Sequence, residues 1–232
     1  MSLIGDLSQT IQVKSSYTEL GVSTIDNYDL SIPFSSVTVT GSVDINTVGT
    51  YSIDYDVSDS SGNNAVTITR TVVVEDTEAP VIILAGDADI TLEADSPYSD
   101  AGASVTDNYN TGLTASVDLS SLDLTTVGVY TLTYSVSDSS GNAATPVYRT
   151  ITIVDTQAPT ITLVGNPTID IQAGTTYVDP GFTATDIYDG DLTAQVLVTG
   201  TVDTSILGAI TLSYDVSDSS NNDAPVSYTH LT

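Results

Sequence analysis

The sequence contains no cysteine and no tryptophan, and it has one histidine, His230, close to its C-terminal end. Without cysteine, neither a disulfide nor a thiolate metal site can hold a domain together. A catalytic serine or threonine needs a partnered base, and a single histidine in the terminal tail does not provide one. Paired carboxylates can hydrolyse glycosides, but close pairs arise by chance in so acidic a chain. We therefore expect the chain not to be an enzyme.

Basic residues are scarce as well, with 3 lysines and arginines against 30 aspartates and glutamates, and the formal net charge is −27. A field this negative repels nucleic acid and anionic membranes and attracts cations. No apolar run approaches the roughly 20 residues of a membrane span. We expect no nucleic-acid partner and no membrane insertion. For any single aspartate, an acidic surface that only keeps the protein soluble is the alternative.

The chain does have an internal repeat. The motif Tyr-x-Val-Ser-Asp-Ser-Ser-x-Asn begins at residues 55, 134 and 214, at intervals of 79 and 80 residues. Self-similarity at a fixed period indicates tandem units, each long enough for a small β-sandwich. The predicted domains are residues 1–76, 77–155 and 156–232.

The repeats predict an all-β fold, because the chain is rich in Val, Ile, Thr and Tyr and lacks long helical periodicity. In the motif, apolar and polar residues alternate up to the aspartate and turn residues follow, which predicts a strand entering a hairpin. In repeats 1 and 2, a glycine two residues before Tyr51 and Tyr130 resembles the tyrosine corner of immunoglobulin-like sandwiches. Repeat 3 has Ile210 in place of the tyrosine. We expect three tandem immunoglobulin-like β-sandwich domains in an elongated array.

The final strands and the two ends of the chain give further expectations. Arg70 and Arg149 lie at corresponding positions of the final strand, where we expect each to pair with a carboxylate of a neighbouring strand. The tail of repeat 3 departs from this pattern, so we expect a divergent or truncated last strand and assign no chemistry to His230. Repeat 1 lacks the opening of the others, which predicts a truncated first strand. No signal peptide opens the chain, and we expect a fragment of a secreted protein.

Three acidic elements are expected to meet at one end of each sandwich, where the chain enters from the linker. They are the first residue of each Asp-Thr-x-Ala-Pro linker, which proline makes stiff, the loop between the second and third strands, and the final hairpin. Repeat 1 carries only the loop and hairpin equivalents, Asp26 and Asp59. The expected clusters are Asp76, Asp107, Asn108, Asp138 and Asn142 in repeat 2, and Asp155, Asp186, Asp218 and Asn222 in repeat 3.

Carboxylates that converge in this way repel one another by about 1 kcal/mol or more per close pair, and a bound cation removes that cost. Hard oxygen donors, with no cysteine and little histidine, select calcium over zinc or copper. The competing interpretation is that each hairpin aspartate only accepts backbone hydrogen bonds in its turn, which leaves the recurring linker aspartate unexplained. Asp189 and Asp191 could form a separate site, but the pair is absent from the other repeats and we expect it to be solvated.

Together the motifs resemble the bacterial immunoglobulin-like repeats that occur in tandem in secreted and surface-attached proteins. These include hyalin-repeat-like modules and the modules named after a pesticidal crystal protein. A looser similarity is to cadherins, whose aspartate-containing linkers hold calcium between domains. The resemblance implies an extracellular structural or adhesive stalk, with neighbouring repeats of a longer chain as partners and calcium stiffening the junctions. The motifs that carry it are the linker, Tyr-x-Asp-x-Gly, Asp189-Gly190-Asp191-Leu192-Thr193, Val-Gly-x-Tyr and the hairpin motif.

The alternative function is a carbohydrate- or cell-wall-binding accessory module of a secreted enzyme, with surface glycans or proteins as partners. Tyr28, Tyr109 and Tyr188 recur in the acidic loops and could stack on sugars. Against this, the chain has no tryptophan and only two phenylalanines. A tyrosine at the same place in every repeat is also typical of an architectural role.

Overall fold

The structure is a computed structural model that describes residues 1–28, 32–225 and 227–231, the last stretch by its backbone alone. The described chain divides into two compact units. The first unit comprises Met1–Gly86, Ala101–Asp118 and Thr133–Tyr148, and the second comprises Asp87–Asp100, Leu119–Leu132 and Arg149–Thr232. Repeat 2 therefore contributes strands to both units.

Nearly all regular structure in the described residues is β-strand, as the composition predicts. Two single-turn 3-10 helices, Phe34–Ser36 and Thr193–Gln195, are the exceptions. No helix in the described part of the chain is long and apolar enough to cross a membrane. The strands are β1 (Ser2–Leu3), β2 (Ser8–Gln12), β3 (Val22–Ser23), β4 (Thr38–Thr40), β5 (Gly49–Asp56), β6 (Ile68–Glu75), β7 (Val81–Leu84), β8 (Asp89–Glu93), β9 (Ala103–Thr106), β10 (Ser116–Asp118), β11 (Gly128–Ser135), β12 (Val147–Val154), β13 (Thr160–Leu163), β14 (Thr168–Ile169), β15 (Phe182–Asp186), β16 (Gly190–Asp191), β17 (Leu197–Thr199), β18 (Ile210–Asp215) and β19 (Ser227–Leu231).

Each repeat forms two sheets, and the larger sheet has the same strand order in all three repeats. The larger sheet has the order β2-β6-β5-β4 in repeat 1, β8-β12-β11-β10 in repeat 2 and β14-β19-β18-β17 in repeat 3. The smaller sheets are β1-β3, β7-β9 and β13-β15-β16. In every larger sheet the first pair is parallel and the last pair is antiparallel. This arrangement confirms the expected all-β, immunoglobulin-like sandwich fold.

The core of each sandwich lies between its two sheets. In the first unit, Val22 on β3 packs with Ile53 and Tyr55 on β5. In the second unit, Ala184 on β15 packs with Val216, which follows β18. Every second residue of β5 faces inward, so the alternation in the repeat motif directs its apolar side chains into the core.

Both arginines are fully buried and paired with a carboxylate, as expected. Arg70 lies 3.0 Å from Glu19, and Arg149 forms an ion pair with Asp100. The partners belong to the Tyr-x-(Glu/Asp)-x-Gly segments and not to a neighbouring strand, which corrects that detail. These segments connect β2 to β3 and β8 to β9, and they place a carboxylate beside the buried arginine. The acidic loop, predicted between the second and third strands, follows the third strand of each repeat.

The tyrosine corner is present in repeats 1 and 2. The hydroxyl of Tyr51 donates to the carbonyl of Thr47 at 2.8 Å, and the hydroxyl of Tyr130 donates to the carbonyl of Thr126 at 2.8 Å. In repeat 3, the backbone of β19 pairs with β18 and β14, so this strand occupies the place of β6 and β12.

Candidate metal centres

Three separate segments bring carboxylates together where repeat 2 begins. Asp76 comes from the linker, Asp107 from the loop after β9, and Asp138 from the hairpin after β11. Each offers a carboxylate oxygen, and these oxygens all lie within 4.8 Å of one another. We call these three residues the first cluster, which lies entirely within the first unit.

The hairpin holds Asp138 in a fixed orientation. Its Oδ1 accepts hydrogen bonds from the backbone N–H groups of Ser140 and Asn142 at 2.9 and 2.8 Å, and its Oδ2 accepts one from Asn142 Nδ2 at 2.8 Å. The turn needs a left-handed residue, which Gly141 supplies with φ of 91°. Burial by itself would raise the pKa of Asp138, but these hydrogen bonds outweigh it and lower the pKa, so the carboxylate is held ionised.

The loop orients Asp107 in a similar way. Its Oδ2 accepts backbone hydrogen bonds from Tyr109 at 2.9 Å and Asn110 at 2.7 Å. Its Oδ1 and the side-chain oxygen of Asn108 are buried and accept no hydrogen bond from the described residues. Two buried oxygen acceptors are thus left for a ligand.

The linker aspartate is held from both of the repeats that it joins. Asp76 is only 4% exposed, and its Oδ1 accepts a hydrogen bond from Gln12 Nε2 of repeat 1 at 2.9 Å. Its backbone carbonyl accepts one from Asn142 Nδ2 of repeat 2 at 2.9 Å. Its Oδ2 is buried and receives none from the described residues, although an unsatisfied buried carboxylate oxygen is costly.

A second cluster, built from the same three elements, lies where repeat 3 begins, within the second unit. The carboxylates of Asp155, Asp186, Asp189 and Asp218 each offer an oxygen, and these oxygens lie within 4.8 Å of one another. Asp155 Oδ2 and Asp186 Oδ2 are buried and accept no hydrogen bond from the described residues. Burial raises the pKa of Asp155, and the negative charges of Asp186 and Asp218 raise it further.

The hairpin of repeat 3 keeps its geometry although it lacks the glycine of the other repeats. Asn221 adopts φ of 66°, in the left-handed region that asparagine tolerates better than most residues. Asp218 Oδ1 accepts backbone hydrogen bonds from Ser220 and Asn222 at 2.9 and 2.8 Å. Asn222 Nδ2 donates to the carbonyl of Asp155 at 3.2 Å, so the hairpin is tied to the linker as in repeat 2.

The participation of Asp189 was not expected from the sequence. Instead of being solvated, its carboxylate joins the second cluster and accepts hydrogen bonds from Ser219 N and Ser219 Oγ, both at 2.8 Å. In repeat 2 the corresponding contact joins Asn110 and Ser139. An alignment of these two pairs could have identified Asp189, because both link the same loop to the same hairpin. Asp191 instead accepts a backbone hydrogen bond from Thr193 outside the cluster.

Repeat 1 has only part of this arrangement. Asp59 accepts the same hairpin hydrogen bonds, from Ser61 N at 2.9 Å and Asn63 N at 2.7 Å, and Asp26 accepts one from Tyr28 N at 2.8 Å. Asp26 and Asp59 line one depression. No cluster of three carboxylates includes them among the described residues.

Two of the three loop tyrosines form a hydrogen bond with the preceding repeat. The backbone N–H of Val48 donates to the hydroxyl of Tyr109 at 3.4 Å, and that of Val127 donates to the hydroxyl of Tyr188 at 3.3 Å. Tyr28, the equivalent in repeat 1, is 84% exposed. Two of the three tyrosines therefore contribute to the junctions between repeats.

The sequence matches the family described as "Bacterial surface protein, Ig-like domain" three times in tandem, over residues 1–74, 82–153 and 161–229. The chain belongs to this family. The match covers most of each repeat and agrees with the repeated pair of sheets.

Relatives with longer chains share this sequence pattern. Hyalin of Strongylocentrotus purpuratus is 35% identical over 174 residues, which cover 72% of this chain and 14% of that protein. Hyalin of Lytechinus variegatus is 32% identical over 193 residues, which cover 77% of this chain and 35% of that protein. The chain thus spans a minor part of these relatives.

Solved structures that align with the chain include a lipoprotein from Bacteroides thetaiotaomicron, with 15% identity and a TM-score of 0.30 over 99% of this chain and 96% of that chain. An I-band fragment of titin has 12% identity and a TM-score of 0.32 over 97% of this chain and 94% of that chain.

Proposed function

We propose that this chain is a non-catalytic spacer region of an extracellular surface protein, in which calcium bound at the two repeat junctions limits bending. The observation that carries this proposal is the pair of junction clusters, each with buried carboxylate oxygens that accept no hydrogen bond from the described residues. Membership of a surface-protein family supports the extracellular setting.

The chemistry of the donor set supports calcium in particular. The first cluster would supply oxygens from Asp76, Asp107 and Asp138, with the carboxamide oxygen of Asn108 beside them. Calcium takes six to eight oxygen ligands in flexible geometry, which carbonyl groups and water can complete. No nitrogen or sulfur donor belongs to either cluster in the described residues, which disfavours zinc and copper.

A cation at the linker would limit bending because the linker is already held to the preceding repeat. Gln12 Oε1 of repeat 1 accepts the backbone N–H of Thr77 at 2.9 Å, and Glu93 Oε1 of repeat 2 accepts that of Thr156 at 2.6 Å. A metal ion would add a bond from the linker aspartate to the loop and hairpin of the following repeat. The three segments would then no longer repel one another.

The test is a comparison of small-angle scattering and thermal melting with calcium and with a chelator, on the full chain. We expect calcium to narrow the distribution of chain dimensions and raise the melting temperature, at concentrations of about 10⁻⁴ to 10⁻³ M as in other extracellular modules. A variant with Asp107→Asn and Asp186→Asn should lose both responses, while Asp123→Asn, an aspartate outside the clusters, should keep them. Identical curves with and without calcium would refute the proposal.

The carbohydrate-binding alternative now depends mainly on Tyr28, because the hydroxyls of Tyr109 and Tyr188 are engaged at the junctions. A glycan array separates the two functions. The spacer predicts no saturable binding, whereas a defined sugar whose signal is lost in Tyr28→Ala would favour the alternative.

A further inference from the structure

The two clusters carry different charges. The first contains three carboxylates and the second contains four. The additional carboxylate is Asp189, which occupies the place of Asn110: Asn110 Nδ2 donates to Ser139 Oγ at 2.8 Å, and Ser219 Oγ donates to Asp189 at 2.8 Å. The repeats therefore hold a neutral and a negative side chain in the same position.

The turn after the second strand of the preceding repeat differs in charge in the same direction. Lys14 and Asp95 both follow the second strand with φ of 61°. Their N–H groups donate to the carbonyls of Ile45 and Leu124, at 2.7 and 2.8 Å, so the two residues occupy the same turn. Repeat 1 thus places a positive charge in this turn, and repeat 2 places a negative one.

The positive charge contacts the loop that carries the first cluster. Lys14 Nζ donates a hydrogen bond to the backbone carbonyl of Asn108 and lies 5.9 Å from the ring centroid of Tyr109. A cation already bound to this loop opposes the arrival of a second, divalent one. It also holds repeat 1 against the loop when no metal is bound.

We infer that the second cluster binds calcium more tightly than the first, so that the junction between repeats 2 and 3 responds at lower calcium concentrations. This inference rests on the proposed function and assigns an order to its two sites. The number of charged ligands is a main determinant of calcium affinity, and it is higher in the second cluster. The buried Asp155, only 8% exposed, has an Oδ2 that accepts no hydrogen bond from the described residues and supports a real ligand site there.

The experiment is a calorimetric titration of the full chain with calcium chloride. We expect two classes of site, with dissociation constants that differ by about tenfold or more. Asp189→Asn should weaken the tighter class by about tenfold and leave the weaker class unchanged. Asp107→Asn should weaken only the weaker class, and Lys14→Gln should strengthen that class several-fold. The matched control is Asp191→Asn, at a residue that lies two positions after Asp189 on β16 and outside the cluster.

Different failures have different meanings. Two sites of equal affinity, or a tighter class that responds to Asp107→Asn and not to Asp189→Asn, would overturn the inference while leaving the proposed function standing. The absence of any calcium binding would overturn both. Melting curves recorded in chelator, in which we expect Asp189→Asn to be at least as stable as the parent because one repelling carboxylate is removed, show that a loss of affinity does not come from unfolding.

Discussion

The side-chain amide of Asn142 donates a hydrogen bond of 2.9 Å to the backbone carbonyl of Asp76, which lies 66 residues earlier in the chain. The same amide donates to Asp138 Oδ2 at 2.8 Å, so one side chain joins the linker to the hairpin. Asn222 repeats this relationship with Asp155 and Asp218. The last residue of the hairpin motif therefore connects consecutive repeats, and not only the two strands of its own hairpin.

We expect Asn142→Ala to loosen both the hairpin and the linker of repeat 2, because it removes two hydrogen bonds of part-buried groups, each worth about 1 kcal/mol. Hydrogen–deuterium exchange should become faster in the peptides that cover the linker and the hairpin. The matched control is Asn63→Ala, which removes the bond to Asp59 but touches no linker. If exchange became faster only in the hairpin in both variants, the hydrogen bond between Asn142 and Asp76 would not stabilise the linker.

Much of the fold could be predicted from sequence because it depends on local alternation and on repetition. The hairpin motif predicts a strand that enters a turn, and the glycine before Tyr51 predicts a tyrosine corner. The spacing of the three copies predicts three repeats. The structure has all of these features. The convergence of the linker, the loop and the hairpin could also be predicted, because the topology of a sandwich places these three elements at one end.

The contacts between repeats could not be predicted in the same way. Lys14 contacts Asn108 across 94 residues, and this contact depends on how one sandwich docks on the next. Gln12 reaches Asp76 because β2 lies parallel to β6 with Gln12 opposite Glu75, a register that the strand pattern does not specify. The pattern of acidic residues does not reveal the role of Asp189, because repeat 2 has Asn110 at this position and what the two repeats share is the contact with a hairpin serine.

A second prediction concerns the tyrosine at the first junction. Tyr109→Phe removes the hydroxyl that accepts the N–H of Val48 and leaves the ring in place. Because this bond is long and exposed, we expect a loss of no more than about 1 kcal/mol, together with faster amide exchange at Val48. Tyr28→Phe is the control, since its side chain is 84% exposed and should alter neither quantity. Unchanged exchange at Val48 in Tyr109→Phe would show that the hydroxyl contributes nothing.

The buried ion pair of repeat 2 gives a third prediction. Arg149 is fully buried, donates through Nε to the carbonyl of Asp87 at 3.0 Å and pairs with Asp100. Arg149→Met should lower the free energy of unfolding by about 3 kcal/mol, because it leaves the part-buried carboxylate of Asp100 without its cation. Urea denaturation measures this loss. Adding Asp100→Asn to the same variant should recover part of it, and a double variant no more stable than the single one would count against the charge as the cause.

The ion pair of repeat 1 predicts how stability depends on pH. Burial by itself would raise the pKa of Glu19, but hydrogen bonds from the hydroxyl of Tyr17 and the N–H of Gly21, together with the charge of Arg70, lower it overall. A carboxyl group whose pKa is lower in the folded state stabilises that state above its unfolded pKa, about 4.3, and this contribution is lost as pH falls through the folded pKa. Glu19→Gln should therefore flatten the acid limb of the stability curve, measured by urea denaturation at several pH values.

The same group of side chains predicts a change at alkaline pH. Burial raises the pKa of Tyr17 to about 12, and the hydrogen bond to Glu19 and its negative charge act in the same direction. Because the folded state favours the protonated phenol, its contribution to stability is present below the ordinary tyrosine pKa of about 10 and is lost as pH rises towards 12. Because the pKa of Tyr55 is raised as well, ultraviolet titration of tyrosinate should show one late-ionising tyrosine fewer in Tyr17→Phe than in the parent chain. In Glu19→Gln the pKa of Tyr17 should fall, and an unchanged value there would show that burial alone sets it.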